Sequence, residues 1–287
     1  MSTIGQLIVS SRPLSWINTA FPFAAAYLLT TGRLDVAFWV GTVFFLIPYN
    51  LAMYGINDVF DYESDLRNPR KGGVEGALLD PSVHRTTLVA AAVVCAPFLI
   101  ALVALGGPAS WFVLAISMAA VVAYSAKGLR FKERPFLDSL TSSTHFVSPA
   151  LYGLVLAGAT ITPALALILA AFFLWGVASH AFGAVQDIPA DREAGLASIA
   201  TVIGGRRTVR FAVGCYLLAG LLLLGTEWPG PLAAVLALPY AVSVLPWWSV
   251  RDADAESANR GWKRFLWLNF GAGAGVTILM IVWALHR

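Results

Sequence analysis

Long, nearly uncharged apolar stretches are the feature of this chain that most limits its fold. A helix needs about 20 apolar residues to cross the hydrocarbon core of a bilayer, and stretches of this length recur along the whole sequence. The 287 residues are 58% hydrophobic and only 12% charged, which is typical of a membrane protein. We therefore predict an all-α, polytopic membrane protein that forms a single domain over residues 1–287.

The apolar stretches predict nine transmembrane helices. Pro22, Pro97 and Pro149 fall inside them, which neighbouring helices in a bundle tolerate. Cys95 and Cys215 also lie within predicted spans, so we interpret both as small apolar packing residues. The spans are about 14–31, 36–57, 86–106, 109–126, 138–159, 162–185, 208–226, 230–249 and 263–285.

Basic residues concentrate in alternate loops. With the N-terminus on the cytoplasmic side, 17 of the 19 basic residues face the cytoplasm, and only Arg33 and Arg287 lie outside. This positive-inside bias and the nine spans place the C-terminus outside. Nucleic-acid binding is a poor interpretation, because no basic stripe stands on a polar fold. The inside residues are Arg12; Arg67, Arg70, Lys71 and Arg85; Lys127, Arg130, Lys132 and Arg134; Arg192, Arg206, Arg207 and Arg210; and Arg251, Arg260, Lys263 and Arg264.

Two short acidic runs lie where predicted spans reach the cytoplasmic surface. The first acidic run, N-D-V-F-D-Y-E-S-D at 57–65, and the second acidic run, D-I-P-A-D at 187–191, each place their carboxylates on one face of a helix. Such carboxylates are costly in an apolar protein unless a cation lies between them. Oxygen ligands at this spacing suit Mg²⁺, which in turn suits a diphosphate. The polar residues are Asn57, Asp58, Asp61 and Asp65 in the first run and Asp187 and Asp191 in the second.

Other polar residues extend these faces. Asn50 and Tyr54 precede Asn57 at helical spacing, and His180 precedes Asp187 by two turns, while Pro189 predicts a broken or newly started helix. Two runs on the same side of the membrane can face each other across a cavity and hold two Mg²⁺ ions bridged by a diphosphate. The alternative is that each run is a solvated helix end in which Asp forms a cap or a turn.

The loop Y-S-A-K-G-L-R-F-K at 124–132 supplies cations beside Tyr124. Lys127, Arg130 and Lys132 suit the non-bridging oxygens of a diphosphate, and Arg binds them bidentately. The alternative is the ordinary cationic anchor of a cytoplasmic loop. Together with the two acidic runs, we interpret this loop as part of a membrane enzyme that handles an isoprenyl diphosphate.

The chain resembles the UbiA superfamily of intramembrane prenyltransferases over nearly its whole length. Residues 57–65 match that family's N-D-x-x-D-x-x-x-D motif, and D-I-P-A-D-R-E-A-G at 187–195 matches its D-x-x-x-D-x-x-x-G motif. The R-P pair at Arg12 and Pro13 and the Y-S-x-x-x-x-R-x-K pattern at 124–132 also recur in the family.

This resemblance implies nine helices around a central cavity that opens to the cytoplasm, and a Mg²⁺-dependent transfer of a prenyl group. It implies that Asp58, Asp61, Asp187 and Asp191 bind the metal and that Asn57 and Asp65 support them. Arg130 and Lys132 would bind the diphosphate, and Lys127 would share that role because the Tyr-Ser to Arg spacing is one residue longer than in many relatives. Asn50, Tyr54, Tyr124 and His180 are further candidates for substrate binding.

Within the superfamily, residues 136–149 and 179–204 are similar to lycopene elongases, which add a five-carbon unit to each end of lycopene. This likeness implies dimethylallyl diphosphate as donor and lycopene, embedded among the membrane lipids, as acceptor. A quinone precursor, a chlorin or a glycerol ether is the alternative acceptor. A cation-coupled transporter is a further alternative, but it is disfavoured because the carboxylates lie at helix ends and not at the bilayer midplane.

Overall fold

The computed structural model describes residues 1–66 and 78–286, and within them every regular element is a helix. Arg67, Arg70, Lys71 and Arg287 lie outside the described residues. The helices are α1 Thr3–Ser10, α2 Ile17–Thr31, α3 Val36–Leu46, α4 Pro48–Phe60, α5 Tyr62–Asp65, α6 His84–Leu105, α7 Pro108–Ser125, α8 Leu137–Leu156, α9 Pro163–Val185, α10 Ile188–Glu193, α11 Ile199–Ile203, α12 Gly205–Leu224, α13 Ala237–Val244 and α14 Asn259–Leu285.

Seven helical segments of the described chain are long and apolar enough to cross a membrane. They correspond to seven of the predicted spans, so the all-helical membrane class is confirmed but the count of nine is not. The predicted span 14–31 contains α2, which has only 15 residues, and 138–159 contains α8, whose first half is rich in Ser and Thr. The seven segments are Val36–Phe60, Pro81–Leu105, Pro108–Ser125, Pro163–Val185, Gly205–Leu224, Gly230–Trp247 and Asp252–Leu285.

The chain divides into two compact units. The first unit comprises Met1–Phe131 and Thr144–Thr160, and the second comprises Lys132–Ser143 and Ile161–Arg287. The first acidic run therefore belongs to the first unit and the second acidic run to the second unit. A single domain over residues 1–287 stays a prediction.

Aromatic side chains form the core of the first unit. Phe23, Phe45 and Tyr152 are fully buried, and the Phe23 and Phe45 ring centroids lie 5.3 Å apart. Pro48 begins α4 directly after α3 has ended, because proline cannot continue the hydrogen bonding of the preceding helix. The side-chain amide of Asn50 stabilises this junction. It donates one hydrogen bond to the Phe45 carbonyl at 2.8 Å and one to Thr19 Oγ1 at 2.7 Å. The junction fixes the direction of α4, which carries the first acidic run.

A second aromatic cluster fills the other unit. Tyr216 on α12 stacks on Tyr240 of α13 with ring centroids 5.5 Å apart, and Phe182 on α9 packs against Trp247. Gly261 allows α14 to approach closely here, since an added Cβ would lie 2.7 Å from the Phe182 ring. This packing fixes the end of α9, from which the second acidic run continues.

Candidate functional site

The first acidic run continues the helical path of α4 through a short break. Asp61 ends α4, yet its amide still donates to the Asn57 carbonyl at 2.9 Å, and the Asp65 amide donates to the Asp61 carbonyl at 2.8 Å. The predicted helical spacing is therefore confirmed. Asp58, Asp61 and Asp65 are all buried. The alternative interpretation of the first acidic run as a solvated helix end is therefore wrong for these three residues. A buried carboxylate needs compensating partners.

Asp58 receives two such partners, one from the last residue of α1 and one from the turn that follows it. Arg12 Nη2 lies 3.0 Å from Asp58 Oδ1, and Ser10 Oγ donates to Asp58 Oδ2 at 2.8 Å. The Arg12 guanidinium also lies 4.2 Å from the ring centroid of Tyr54, one turn before Asp58. Tyr54 thus supports the arginine that holds this carboxylate. The R-P motif pointed to Arg12, whereas nothing in the sequence indicated Ser10.

A second arginine lies at the other end of the first acidic run. Arg130 Nη1 donates to the Phe60 carbonyl at 3.3 Å, and Arg130 Nη2 lies 3.9 Å from Asp61 Oδ1. Asn57 Oδ1 accepts from Ser125 Oγ at 2.9 Å. The end of α7 and the loop after it therefore hold the run from this side, while the diphosphate-binding role of Arg130 stays a prediction.

The remaining candidates of the first unit take different positions. Lys127 is exposed. Tyr124 packs edge-on against the buried His145, with ring centroids 5.2 Å apart. Asn50 is completely buried at the α3–α4 junction, where its amide donates to three protein oxygens.

The second acidic run begins where α9 ends. Gln186 caps α9, Asp187 precedes α10, and Pro189 occupies the first turn of α10, so the newly started helix predicted from Pro189 is confirmed. The Asp191 amide donates to the Asp187 carbonyl at 2.8 Å, which keeps both side chains on one helical face. Both aspartates are half-buried.

Gly195 closes the turn after the second acidic run. Its φ of 69° is left-handed, a conformation that glycine adopts without steric cost. The turn brings the Leu196 amide to 2.7 Å from the Asp191 carbonyl. The glycine of the D-x-x-x-D-x-x-x-G pattern therefore allows the tight turn that follows the second acidic run.

Further side chains of the second unit hold this region. Arg192 Nη2 lies 2.7 Å from Asp252 Oδ2 and donates to the Thr201 carbonyl at 3.0 Å, while Asp252 Oδ1 accepts from the Gly205 amide at 2.7 Å. His180 Nδ1 lies 3.1 Å from Ser139 Oγ. Lys132 belongs to this unit and is half-buried. The motifs did not identify Asp252 or Ser139, because their contacts come from distant parts of the chain.

The chemistry of these side chains fits Mg²⁺ and a diphosphate. No three His, Cys, Asp or Glu side chains in the described residues come together as a ready metal site. Mg²⁺ does not require one, since it is usually bound by one or two carboxylates together with substrate phosphates. The runs supply oxygen ligands only, and the buried Nε of Arg12 has no hydrogen-bond partner among the described residues. Arg130 places a second guanidinium beside the first acidic run, and a guanidinium is a group suited to binding phosphate oxygens.

Comparison with known proteins identifies relatives along the whole chain. The UbiA prenyltransferase family model matches residues 19–270. A lycopene elongase/hydratase of Corynebacterium glutamicum is 55% identical over 287 residues, covering 100% of this chain and 99% of that protein. The C(50) beta-cyclic carotenoids biosynthesis protein LbtBC of Dietzia sp. is 60% identical over 276 residues, covering 96% of this chain and 64% of that longer protein.

Solved structures show the same fold. A UbiA homolog from Archaeoglobus fulgidus bound to DMAPP and Mg²⁺ superposes with a TM-score of 0.70 at 18% identity. The superposition covers 93% of this chain and 98% of the archaeal chain.

Proposed function

Because this chain belongs to the UbiA prenyltransferase family, we propose that it transfers a dimethylallyl group from its diphosphate to each end of lycopene, giving C45 and then C50 carotenoids. The chain is a prenyltransferase and an integral membrane protein. The observation that most supports lycopene is the 55% identity, over all 287 residues, to the lycopene elongase/hydratase of Corynebacterium glutamicum. The carotenoid-related name of the Dietzia relative agrees with this acceptor.

The proposed metal ligands are Asp58, Asp61, Asp187 and Asp191, with two Mg²⁺ ions as cofactor. When bound, the metal neutralises the charge that develops on the diphosphate as its bond to the allylic carbon breaks. Ser10 and Arg12 orient the Asp58 carboxylate through bonds of 2.8 and 3.0 Å. Arg130 is close to Asp61 and is the proposed guanidinium for the diphosphate, with Lys127 and Lys132 as further cations.

The bond changes follow from the chemistry of donor and acceptor. The allylic C–O bond breaks and the diphosphate leaves with the electron pair. The terminal double bond of lycopene forms the new C–C bond, and the resulting cation loses a proton or takes up water and then loses one. The Corynebacterium relative is named elongase/hydratase, so we propose that water capture accompanies elongation in this chain as well.

The proposed orientation has the N-terminus and both acidic runs on the cytoplasmic side and the C-terminus outside. The distribution of basic residues, 17 inside and two outside, supports it. The soluble donor would then reach the acidic runs from the cytoplasm, while the acceptor enters from the bilayer.

Expression in a lycopene-accumulating host tests the acceptor directly. We expect pigments with one and then two added five-carbon units, part of them with the elements of water added. The Asp61→Asn variant, inserted at the same level, should leave lycopene unchanged. Unchanged lycopene with the native chain, despite verified insertion and donor supply, would contradict lycopene as the acceptor. The alternative acceptors, a quinone precursor, a chlorin or a glycerol ether, would then be tested.

A further inference from the structure

Asp138 is a fully buried carboxylate that the sequence motifs do not use. It lies in the first turn of α8 and has no solvent exposure. Its Oδ1 accepts from the Ser139 amide at 2.6 Å, and its Oδ2 accepts from the Ile199 amide at 2.7 Å. Burying a carboxylate is costly, and two short bonds from backbone amides compensate that cost. The bond to Ile199 joins residues 61 positions apart in the chain.

Ile199 is the residue through which Asp138 reaches the second acidic run. It is the first residue of α11, directly after the capping Ser198. The chain between Asp191 and Ile199 is short, and the Leu196 amide bonds back to the Asp191 carbonyl at 2.7 Å. Arg192 adds a second connection, since its guanidinium donates to the Thr201 carbonyl within α11 at 3.0 Å. A fixed α11 therefore fixes the end of α10.

The neighbouring Ser139 holds the same region from the other side. Its Oγ lies 3.1 Å from Nδ1 of His180, which is two turns before Asp187 on α9. The dipeptide of Asp138 and Ser139 thus contacts the chain both before and after the second acidic run.

The backbone directly before α8 has a strained conformation, which shows that the surrounding structure holds this segment in place. Phe136 has a φ of 70°, a left-handed conformation that is rare for a bulky residue. Its carbonyl accepts from the Leu140 amide at 3.0 Å, and the Arg134 carbonyl accepts from the Asp138 amide at 2.9 Å. Strain of this kind persists only where the surrounding structure enforces it. The start of α8 is therefore held in place on both sides of Asp138.

We propose that Asp138 is a positioning residue for the second acidic run. By holding the Ile199 amide it fixes α10 and α11, and with them the orientation in which Asp187 and Asp191 meet the magnesium diphosphate. This inference rests on the proposed function of those two aspartates. A group that hydrogen-bonds a metal ligand directly typically contributes about 10- to 100-fold to metal affinity, and we expect the lower end of that range for Asp138, because it acts on Asp191 through Ile199 and the intervening turn.

Two variants break the bond from opposite sides. Asp138→Asn replaces one acceptor oxygen by an amide donor. Its control is Ser143→Ala, which removes a different hydrogen bond of α8, from Ser143 Oγ to the Phe173 carbonyl of α9 at 2.7 Å, without touching Ile199. Ile199→Pro removes the donating amide. Proline is tolerated at this position because Ile199 is the first residue of a helix. The preceding Ser198 already has the extended backbone that proline requires before it. Ile199→Ala is its control, because it loses the same side chain but keeps the amide.

Two measurements on purified enzyme separate positioning from a general structural role. Hydrogen exchange of peptides covering 187–203 should accelerate in Asp138→Asn and Ile199→Pro and stay as in the native chain in Ser143→Ala. The Mg²⁺ concentration for half-maximal transfer should rise about 10-fold in Asp138→Asn and Ile199→Pro. It should stay near the native value in Ser143→Ala and Ile199→Ala. If Asp138→Asn does not accumulate, the pair of Ile199 variants decides.

Unchanged exchange in both Asp138→Asn and Ile199→Pro would overturn the proposal, and so would a native Mg²⁺ requirement in both of these variants. Full activity of Asp187→Asn and Asp191→Asn would instead overturn the function assigned to the second acidic run. The exchange result would still stand in that case, so the two failures are distinguishable.

Discussion

Arg12 Nη2 lies 3.0 Å from Asp58 Oδ1, although the two residues are 46 positions apart in the chain. The Asp58 side chain is fully buried, whereas 21% of the Arg12 side chain is exposed. The pair joins the R-P motif before α2 to the N-D-x-x-D motif of α4. Two sequence patterns that are separate along the chain therefore form one arrangement in the fold.

Replacing Arg12 should cost both stability and activity. Arg12→Ala leaves a buried carboxylate without its cation, and breaking such a pair costs about 3 kcal/mol. We expect a lower melting temperature in detergent and a strong loss of transfer. Arg12→Lys keeps the charge and should recover part of both. Native melting and activity in Arg12→Ala would show that the pair is dispensable.

Arg130 and Lys127 allow a test within one loop. Arg130 contacts the first acidic run, while Lys127 is exposed. Arg130→Ala should therefore raise the KM for dimethylallyl diphosphate by about 10-fold, the loss expected for one charge-assisted hydrogen bond. Lys127→Ala serves as the comparison and should change KM much less. The reverse order would transfer the diphosphate role to Lys127.

A side chain at Gly195 should destabilise the protein. Its φ of 69° costs about 1–2 kcal/mol for an L-residue, and asparagine adopts this conformation more readily than alanine. We expect Gly195→Ala to lower the melting temperature and Gly195→Asn to do so less. Gly214→Ala on α12 is the control, because an added Cβ there meets nothing within 4 Å. Equal melting of all three variants would refute the role of this turn.

Topology is open to a direct labelling experiment. Cys95 and Cys215 are buried, so a reporter cysteine can be placed on a chain in which both are replaced. Ser82→Cys and Glu193→Cys should react with an impermeant reagent only from the cytoplasmic side of sealed vesicles, and Thr160→Cys only from outside. Labelling of Ser82→Cys and Glu193→Cys from opposite sides would contradict the proposed orientation of the two acidic runs.

Local features of the fold were predictable from the sequence. Apolar length identified the helices, helical spacing placed Asp58, Asp61 and Asp65 on one face, and Pro189 indicated the new helix. These features depend on neighbouring residues and on the helical period. The predicted number of nine spans is not confirmed. Among the described residues, α2 has only 15 residues, and the first half of α8 is rich in Ser and Thr.

Contacts between distant residues were not predictable in the same way. Ser10 bonds Asp58 across 48 positions, and Asp138 bonds Ile199 across 61. No periodicity relates such pairs, because the path of the chain brings them together. The sequence placed Asn50 on the face of the acidic run, but its amide stabilises the α3–α4 junction, a role that follows from the break before Pro48.

The carboxylates of the two acidic runs are the centre of the proposed chemistry. Asp58→Asn, Asp61→Asn, Asp187→Asn and Asp191→Asn each remove the charge of a proposed metal ligand, whose stabilisation would be needed most as the diphosphate leaves. Each variant should nearly abolish transfer while the inserted protein remains folded. Asp65→Asn should have a milder effect, since it lies a further turn along the helix.

Transfer of the labelled group from dimethylallyl diphosphate to lycopene by purified, reconstituted enzyme is the decisive test of the proposed reaction. Measured with Mg²⁺, with EDTA, and with Mg²⁺ restored after EDTA, the native chain should form C45 and C50 products, lose this activity, and regain it. Asp61→Asn and Asp187→Asn should form almost no product in any of the three conditions. Full product formation in EDTA, or by either variant in Mg²⁺, would contradict a magnesium-dependent transfer that uses both acidic runs.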